Sequence, residues 1–409
     1  MNPDFNRQWR APAWAFSVLL AVLGMLGPFS IDTYLPAFTD IAQSLGATPV
    51  HMQQTLSAYL FGFALMALFH GALSDSFGRR RVVLWGLAVF TLASVGCALS
   101  QTIGQLIGFR ALQGLSTGAG IVVSRAIIRD VYPPAQAQRV MSQVTLFFGV
   151  APALAPMVGG WLVVQAGWHS IFWFLAAVGA AMWLVNLRML PETLPLAQRQ
   201  SFRARHLLAG YWQLGSDPRF VLLALASGIP FNGMFLYVLS APMFLGTHLG
   251  LAPGQFFWFF VLSIAGIMSG AWVSGRMAGR MRPKRQIRAG FLVMLCIGVV
   301  NVAANAVWTA HVAWSVWPVA IFAFGWALMV PVVTLLVLDL HPERRGMASS
   351  LQMFVSAAAN GVVAGVVAPL VMHSTLALAA ASLAMMGVGL LAWVLMRHRW
   401  PEVGQGEPN

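Results

Sequence analysis

The chain has 409 residues, 59% of them apolar and only 9% charged, with 24 Lys and Arg against 11 Asp and Glu and a net charge of +13. A soluble domain carries about a quarter charged residues, so these charges cannot cover a water-facing surface, and lipid is the remaining solvent. The 16 Trp and 27 Phe fit lipid-facing surfaces and the aromatic belts at membrane interfaces.

A spanning helix needs about 20 apolar residues. In chain order, the apolar runs predict spans near 13–36, 52–73, 82–100, 104–126, 139–164, 170–190, 219–245, 254–278, 288–307, 312–337, 347–371 and 376–396. That makes an all-α membrane protein of twelve transmembrane helices. The first run, Trp14 to Pro36, is too long for the apolar core of a signal peptide and lacks a small-residue cleavage site, so it reads as a retained span. Cys97 and Cys296 both fall inside apolar runs and read as small packing residues rather than a disulfide or a metal pair.

The basic residues give an orientation. Arg7 and Arg10 precede span 1, Arg79, Arg80 and Arg81 separate spans 2 and 3, and Arg129 lies between 4 and 5, flanked by Arg125 and Arg139. Arg188, Arg199, Arg203, Arg205 and Arg219 surround a long middle loop. Six more, from Arg276 to Arg288, cluster between spans 8 and 9; Arg344 and Arg345 lie between 10 and 11, and Arg397 and Arg399 follow span 12. All fall on one side, and Arg110, inside span 4, is the single remainder. Positive-inside bias then puts both termini in the cytoplasm. It also accounts for the basic balance by orientation and contact with anionic lipid. Nucleic acid is not an expected partner, because the basic residues are scattered over short loops.

The chain reads as duplicated. Asp130-Val-Tyr-Pro133 after span 4 is matched by Asp339-Leu-His-Pro342 after span 10. The predicted organisation is an N-terminal six-helix bundle over 1–190, a cytoplasmic central loop over 191–218 and a C-terminal six-helix bundle over 219–409. Two such halves, related by an axis along the membrane normal, form a rocking transporter with substrate bound between them near the midplane.

Loop 2–3 reads Gly71-Ala-Leu-Ser-Asp75-Ser-Phe-Gly78-Arg79-Arg80-Arg81. Gly71 permits close helix approach, and Asp75, placed just past the end of span 2, can cap a helix N-terminus and pair with an arginine. Such a pair can act as a conformational latch; an ordinary basic turn is the plainer reading. Gly71-x-x-x-Asp75-x-x-Gly78-Arg79-Arg80 resembles the signature loop of the major facilitator superfamily. Leu106-x-x-x-Arg110-x-x-Gln113-Gly114 resembles that family's span-4 motif. Gly149-x-x-Pro152-x-x-x-Pro156-x-x-Gly159-Gly160 resembles its span-5 antiporter motif. With Ser30-Ile-Asp32-x-Tyr34-Leu-Pro36 and Arg129-Asp130-x-Tyr132-Pro133, the match narrows to the bicyclomycin-resistance (Bcr/CflA) drug:proton antiporters. The resemblance covers most of the chain and is stronger in the first half; Gly279 stands where a second copy of Asp75 would be.

This resemblance implies a proton-coupled exporter of small drugs such as bicyclomycin or chloramphenicol, not an enzyme, working as a monomer. It also implies that spans 1 and 4 are neighbours and that the span-1 acid and the span-4 arginine take part in proton coupling. Asp32 falls about 6 Å and Arg110 about 9 Å inside the outer span ends, at 1.5 Å per residue. Charges at such depths are expensive and usually functional. Burial favours a protonated carboxyl and a nearby cation favours the ionised one, so Asp32 can exchange a proton against cargo with Arg110 setting the balance.

Gln113 and Thr117 lie at i+3 and i+7 from Arg110, on its helix face; they line a cavity or bond between helices. Tyr34, Tyr59, Phe63, Asn232, Phe235, Tyr237, Trp326 and Met329 could build an adaptable substrate wall, with core packing or lipid contact an equal reading for each. Pro152 and Pro156, with Gly149, Gly159 and Gly160, read either as a bent, closely packed helix or as a tolerated kink. No cofactor is expected: the nine histidines lie at span ends without ligand spacing, and no phosphate-cradling loop occurs that would let ATP drive transport. A metabolite transporter and a ligand sensor remain the alternatives.

Overall fold

Proline, glycine and short polar side chains set where the helices begin and end. In a computed structural model, residues 12–200, 204–251 and 255–403 are described; Arg7, Arg10 and Arg203 lie outside the described residues, as do the side chains at 148–153 and of His206. The first half holds α1 (Ala13–Asp32), α2 (Phe38–Ser44), α3 (Pro49–Phe77), α4 (Arg79–Ala98), α5 (Ile103–Val131), α6 (Pro134–Ala166) and α7 (His169–Met189). After α8 (Ala204–Ser216), the second half holds α9 (Pro218–Leu239), α10 (Phe257–Met277), α11 (Pro283–Val307), α12 (Val312–Ser315), α13 (Trp317–Leu340), α14 (Arg345–Val362), α15 (Ala368–Val371) and α16 (Thr375–Arg399). Thr48, Thr102, Asp217 and Ser374 cap α3, α5, α9 and α16, each accepting a hydrogen bond from a backbone N–H in the first turn. Proline opens α3, α6, α9 and α11, where its missing N–H costs nothing.

Ten stretches among the described residues are long and apolar enough to cross a membrane. The two other expected spans are α6, 33 residues long, and the run from Arg345 to Val371, which a π-helical turn over Val363–Val367 splits before α15. Large apolar side chains stay exposed on the helix exteriors, Trp85 at 73% and Val164 at 81%, as suits a lipid-facing surface.

Several boundaries differ from the hydropathy reading, which detects where apolar residues stop rather than where hydrogen bonds stop. Span 1 does not end at Pro36. The α-helix closes at Asp32, and the chain continues through a 3-10 turn (Leu35–Ala37) into α2. Pro36, with no N–H to give, sits in that turn. Asp32 is therefore the last residue of α1 and has a further helix beyond it. Loop 2–3 shrinks to Gly78, whose φ of +100° lets α3 stop at Phe77 and α4 start at Arg79 with one residue between them. Asp75 is accordingly in the last turn of α3, not beyond the helix. Asp130 likewise belongs to the last turn of α5. The middle loop holds the amphipathic helix α8, with Leu208 and Trp212 exposed. Helix α6 runs unbroken through the positions of Pro152 and Pro156.

The chain forms two compact units. Unit 1 is Met1–Pro133, Phe147–Tyr211 and Pro342–Met353; unit 2 is Pro134–Leu146, Trp212–His341 and Phe354–Asn409. They follow the two sequence halves except that the first turns of α14 belong to unit 1 and the first turns of α6 to unit 2. Within unit 1, α3 and α4 pack on α5, α4 also on α7, and α1 on α5; within unit 2, α10 and α11 pack on α13, α11 also on α16, and α9 on α13. The same packing order occurs twice, as the repeated Asp-x-x-Pro implies.

Candidate functional site

The ends of α3, α4, α5 and α14 meet in unit 1 around two buried side chains, Asp75 and Arg79. Arg79 Nη1 donates to Asp75 Oδ1 at 2.5 Å and to Ser74 Oγ at 2.6 Å, and its Nε donates to Asp130 Oδ2 at 3.1 Å. The other oxygen of Asp130 accepts from Arg345 Nη1 at 2.9 Å. Asp75 also accepts backbone N–H groups from Gly346 at 3.2 Å and Met347 at 2.9 Å, so it caps the start of α14 and complements that helix's dipole. Gly71 donates its N–H to Ser350 Oγ at 2.9 Å, and a Cβ on it would run into the Gly346 backbone. The two glycines are what allow α3 and the α14 start to approach this closely.

Around this node, Arg79 N donates to Glu192 Oε1 at 2.9 Å, and Glu192 also pairs with Arg199 at 3.3 Å. A Cβ on Gly78 would collide with both partners. Arg80 is turned away, donating to the Leu187 carbonyl at 2.6 Å, and Arg129 donates to the Tyr132 carbonyl at 3.2 Å. Of the expected latch residues, Gly71, Asp75, Gly78, Arg79 and Asp130 form one connected cluster, whereas Arg80 and Arg129 tie down neighbouring backbone. Sequence reasoning missed Glu192, Gly346 and Ser350. Arg345 was legible as the basic residue after the second Asp-x-x-Pro.

Unit 2 has a neutral counterpart. Gln138, in the first turns of α6, donates from Nε2 to the Ser274 carbonyl at 3.0 Å and to Gln286 Oε1 at 2.8 Å. Gln286 Nε2 donates to Ser274 Oγ and to the Leu328 carbonyl, each at 2.8 Å. A helix start thus docks on the end of its neighbour twice, through charges in unit 1 and through amides in unit 2. Gly279, with φ +75°, occupies the position of a second Asp75 and contributes a turn instead.

Deeper in unit 1, Arg110 is fully buried on α5. Its guanidinium sits 4.5 Å from the ring centre of Tyr34 and 4.3 Å from that of Tyr59, with Nη1 donating to Gln113 Oε1 at 2.5 Å. Gln113 Nε2 passes the chain on to Ser94 Oγ at 2.7 Å. The Tyr34 hydroxyl bonds Thr55 Oγ1 at 2.6 Å, and the Tyr59 hydroxyl donates to the Gly27 carbonyl at 3.1 Å. Nε and Nη2 of Arg110 have no hydrogen-bond partner. Asp32 and Arg110 form no ion pair, because the two tyrosine rings take up the guanidinium. Asp32 is half-buried, and the Tyr59 phenol lies within electrostatic reach of both charges. Thr117 bonds back to the Gln113 carbonyl at 2.7 Å, and Phe63 is half-buried against Gly118.

The second-half candidates separate into two groups. Phe235 stacks on Phe231 at 5.6 Å, Phe231 lies 4.9 Å from Trp326, and Trp326 Nε1 donates to the Ser227 carbonyl at 3.0 Å. All three rings are half-buried, forming an aromatic stripe of α9 and α13. Tyr237 and Met329 instead pack toward α11: the Tyr237 hydroxyl accepts from Asn301 Nδ2 at 2.8 Å, and Met329 fills the space over Gly290. Asn232 is buried, donates to the Gly228 carbonyl at 3.2 Å, and leaves its Oδ1 without a partner.

On α6, Gly159 faces the carbonyl of Thr33, which a Cβ would strike, while Gly160 faces open space and Pro156 is half-buried. Close approach of α6 to the end of α1 therefore rests on Gly159 alone of that pair. The side chains at Gly149 and Pro152 lie outside the described residues.

The family model for the Major Facilitator Superfamily matches residues 20–364. A bicyclomycin resistance protein homologue of Haemophilus influenzae is 28% identical over 389 residues, 94% of this chain and 96% of its own length. Multidrug resistance protein D of Escherichia coli is 29% identical over 398 residues, 95% and 97% of the two chains. An MFS-type transporter of Bacillus subtilis, YdgK, is 32% identical over 339 residues, 82% and 84%. Among solved structures, the proton:xylose symporter XylE superposes with a TM-score of 0.73 at 15% identity, covering 95% of each chain. The human organic anion transporter MFSD10 gives 0.69 at 20% identity, covering 94% of this chain and all of its own. With the family model spanning most of the chain and the fold repeating in solved members, the protein belongs to the Major Facilitator Superfamily and is a secondary transporter.

Proposed function

We propose that the protein is a proton-coupled antiporter that exports small drug-like molecules, of the bicyclomycin or chloramphenicol kind, by alternating access. The observation that carries the reading is Arg110: a fully buried guanidinium held between two tyrosine rings, with two nitrogens lacking any acceptor. A buried cation without a carboxylate partner is costly, and an unfilled donor set asks for an acceptor that comes and goes. Asp32, half-buried at the end of α1 and within electrostatic range of the same Tyr59, is the group whose charge can change. Ionised Asp32 balances Arg110 through the tyrosine; protonated Asp32 leaves the guanidinium to a polar cargo atom. Binding of one then favours release of the other, which is exchange. The names of the bicyclomycin and multidrug relatives support a drug as that cargo.

In this reading the stripe of Phe231, Phe235 and Trp326 offers an apolar face to cargo. The Asp75–Arg79–Asp130–Arg345 cluster is the latch that holds one state and opens in the other. The 1–190 and 219–409 halves, joined by the 191–218 segment, are the bodies that rock against each other in alternating access. The termini are cytoplasmic, the membrane is the bacterial inner membrane, and a single chain suffices.

The test is drug-driven proton movement in proteoliposomes. The wild-type protein should acidify or alkalinise the lumen when drug is added on one side. Asp32→Asn should bind drug yet move no protons. Proton flux unchanged in that variant rejects the exchange role of Asp32. Accumulation of a metabolite, with no change in drug tolerance on expression, would instead favour a metabolite transporter.

A further inference from the structure

Helices α11 and α16 run antiparallel along one side of unit 2. Lys284 Nζ donates to the Pro401 carbonyl near one end, and Gly298 lies against Leu383 further along. Between them runs a groove of about 590 Å³, within the roughly 300–1,000 Å³ range of small-molecule sites. One end of the groove is basic, with Arg288 on α11 and Arg397 and His398 on α16, all three exposed. From there it is apolar: Leu292 and Leu295 line one side, Leu390 and Val394 the other, with Trp393 and Phe291 buried beneath. Arg288 to Leu295 and Arg397 to Leu390 are each seven residues, about 10 Å of helix at 1.5 Å per residue.

The charge pattern at the basic end is unbalanced. Lys284 feels the like charges of Arg397 and Arg288, against the carboxylate of Glu402. The indole N–H of Trp393, a residue only 1% exposed, has no hydrogen-bond partner. A guanidinium pair at the surface end of an apolar groove matches a phosphate on the head of an alkyl chain. We propose that this groove is a binding site for an anionic phospholipid, its phosphate held by Arg288 and Arg397 and one acyl chain laid along Leu292, Leu295, Leu390 and Val394. A zwitterionic lipid places the same chain there without net charge to relieve the cations. A free phosphate ester meets the arginines without using the apolar length.

The experiment is native mass spectrometry of the purified full chain with three probes: phosphatidylglycerol, phosphatidylcholine with the same chains, and glycerol phosphate as the free headgroup. The wild-type protein should retain one phosphatidylglycerol about tenfold more tightly than phosphatidylcholine. Glycerol phosphate should fail to displace it. The Arg288→Gln/Arg397→Gln double variant should lose the preference, whereas Arg280→Gln/Arg282→Gln, in the preceding turn, should keep it. Leu295→Trp fills the groove with both arginines in place and should also release the lipid. Equal lipid retention in the double variant or in the groove-filling variant, or displacement of the lipid by glycerol phosphate, overturns the site. Because the readout is lipid retention, failure of the antiport reading leaves this outcome unaffected.

Discussion

Asp75 Oδ1 and Arg79 Nη1 meet at 2.5 Å across Gly78, so the ion pair bridges the one residue that separates α3 from α4. Both side chains are buried, and each has further partners: Asp75 caps α14 and Arg79 reaches Ser74 and Asp130. Removing one partner of such a pair leaves an uncompensated charge and costs about 3–5 kcal/mol. Asp75→Ala is therefore expected to lower the melting temperature strongly. Asp75→Asn should lose less, since an amide oxygen can still accept from Met347. Arg79→Lys should not restore the wild type, because one ammonium cannot reproduce the planar fork over three acceptors. Thermal melts of the purified proteins in detergent check the order; an Asp75→Ala protein melting with the wild type would refute it.

Two adjacent glycines on α6 make opposite predictions. A Cβ at Gly159 would strike the Thr33 carbonyl next to Asp32, whereas one at Gly160 meets nothing within 4 Å. Gly159→Ala should push α6 from the end of α1 at a cost of about 1–3 kcal/mol and reduce transport. Gly160→Ala should be silent or slightly stabilising, since alanine favours the helix by up to about 1 kcal/mol. Transport rates and melts of the two single variants, measured side by side, decide this. Equal defects in both would mean that the pair acts through flexibility and not through contact.

Tyr237 and Trp326 should part ways when mutated. The Tyr237 hydroxyl bonds Asn301 on α11, so Tyr237→Phe strands a buried amide and should cost about 1–3 kcal/mol of stability with the KM for cargo unchanged. Trp326 belongs to the half-buried stripe with Phe231, so Trp326→Ala should raise KM or shift the range of compounds moved. Drug-tolerance profiles and transport kinetics separate the two, and a KM effect from Tyr237→Phe would put it on the cargo path.

Which of these features the sequence could reveal follows from what kind of signal each leaves. Apolar runs and the one-sided arginines expose spans, and the paired Asp-x-x-Pro segments expose the duplication, because both are local patterns. Asp75 and Arg79 were legible by their spacing around Gly78. Their partner Gly346 was not, because its contribution is a bare backbone N–H 271 residues away. The α3 end was misjudged because Ser74 and Asp75 are polar yet satisfied within the helix and by Arg79. Tyr237 and Trp326 lie on spans apolar all round, where hydropathy gives no helix phase. Only the packing of α11 against one and Phe231 against the other distinguishes them.

Asp217 gives the fold a test in pH. It caps α9 through Oδ1 on the Arg219 N–H at 2.9 Å, and its Oδ2 meets Arg219 Nη2 at 2.9 Å and His341 Nε2 at 3.1 Å. Burial alone would raise its pKa; the hydrogen bonds and charge of Arg219, with the bond from His341, outweigh burial and hold it below the usual carboxylate value. The unfolded chain titrates Asp at about 3.9. A folded value below that means the ionised carboxylate adds stability at all pH above the unfolded value, and that this contribution fades as pH falls through the folded value. Asp217→Asn keeps a cap oxygen but loses the charge. The wild type should therefore melt above the variant near about pH 7, with the gap narrowing once pH drops below about 4. Circular-dichroism melts of both proteins across that range provide the measurement. A gap that stays constant, or widens in acid, would show that the Asp217 carboxylate is not stabilised by its partners.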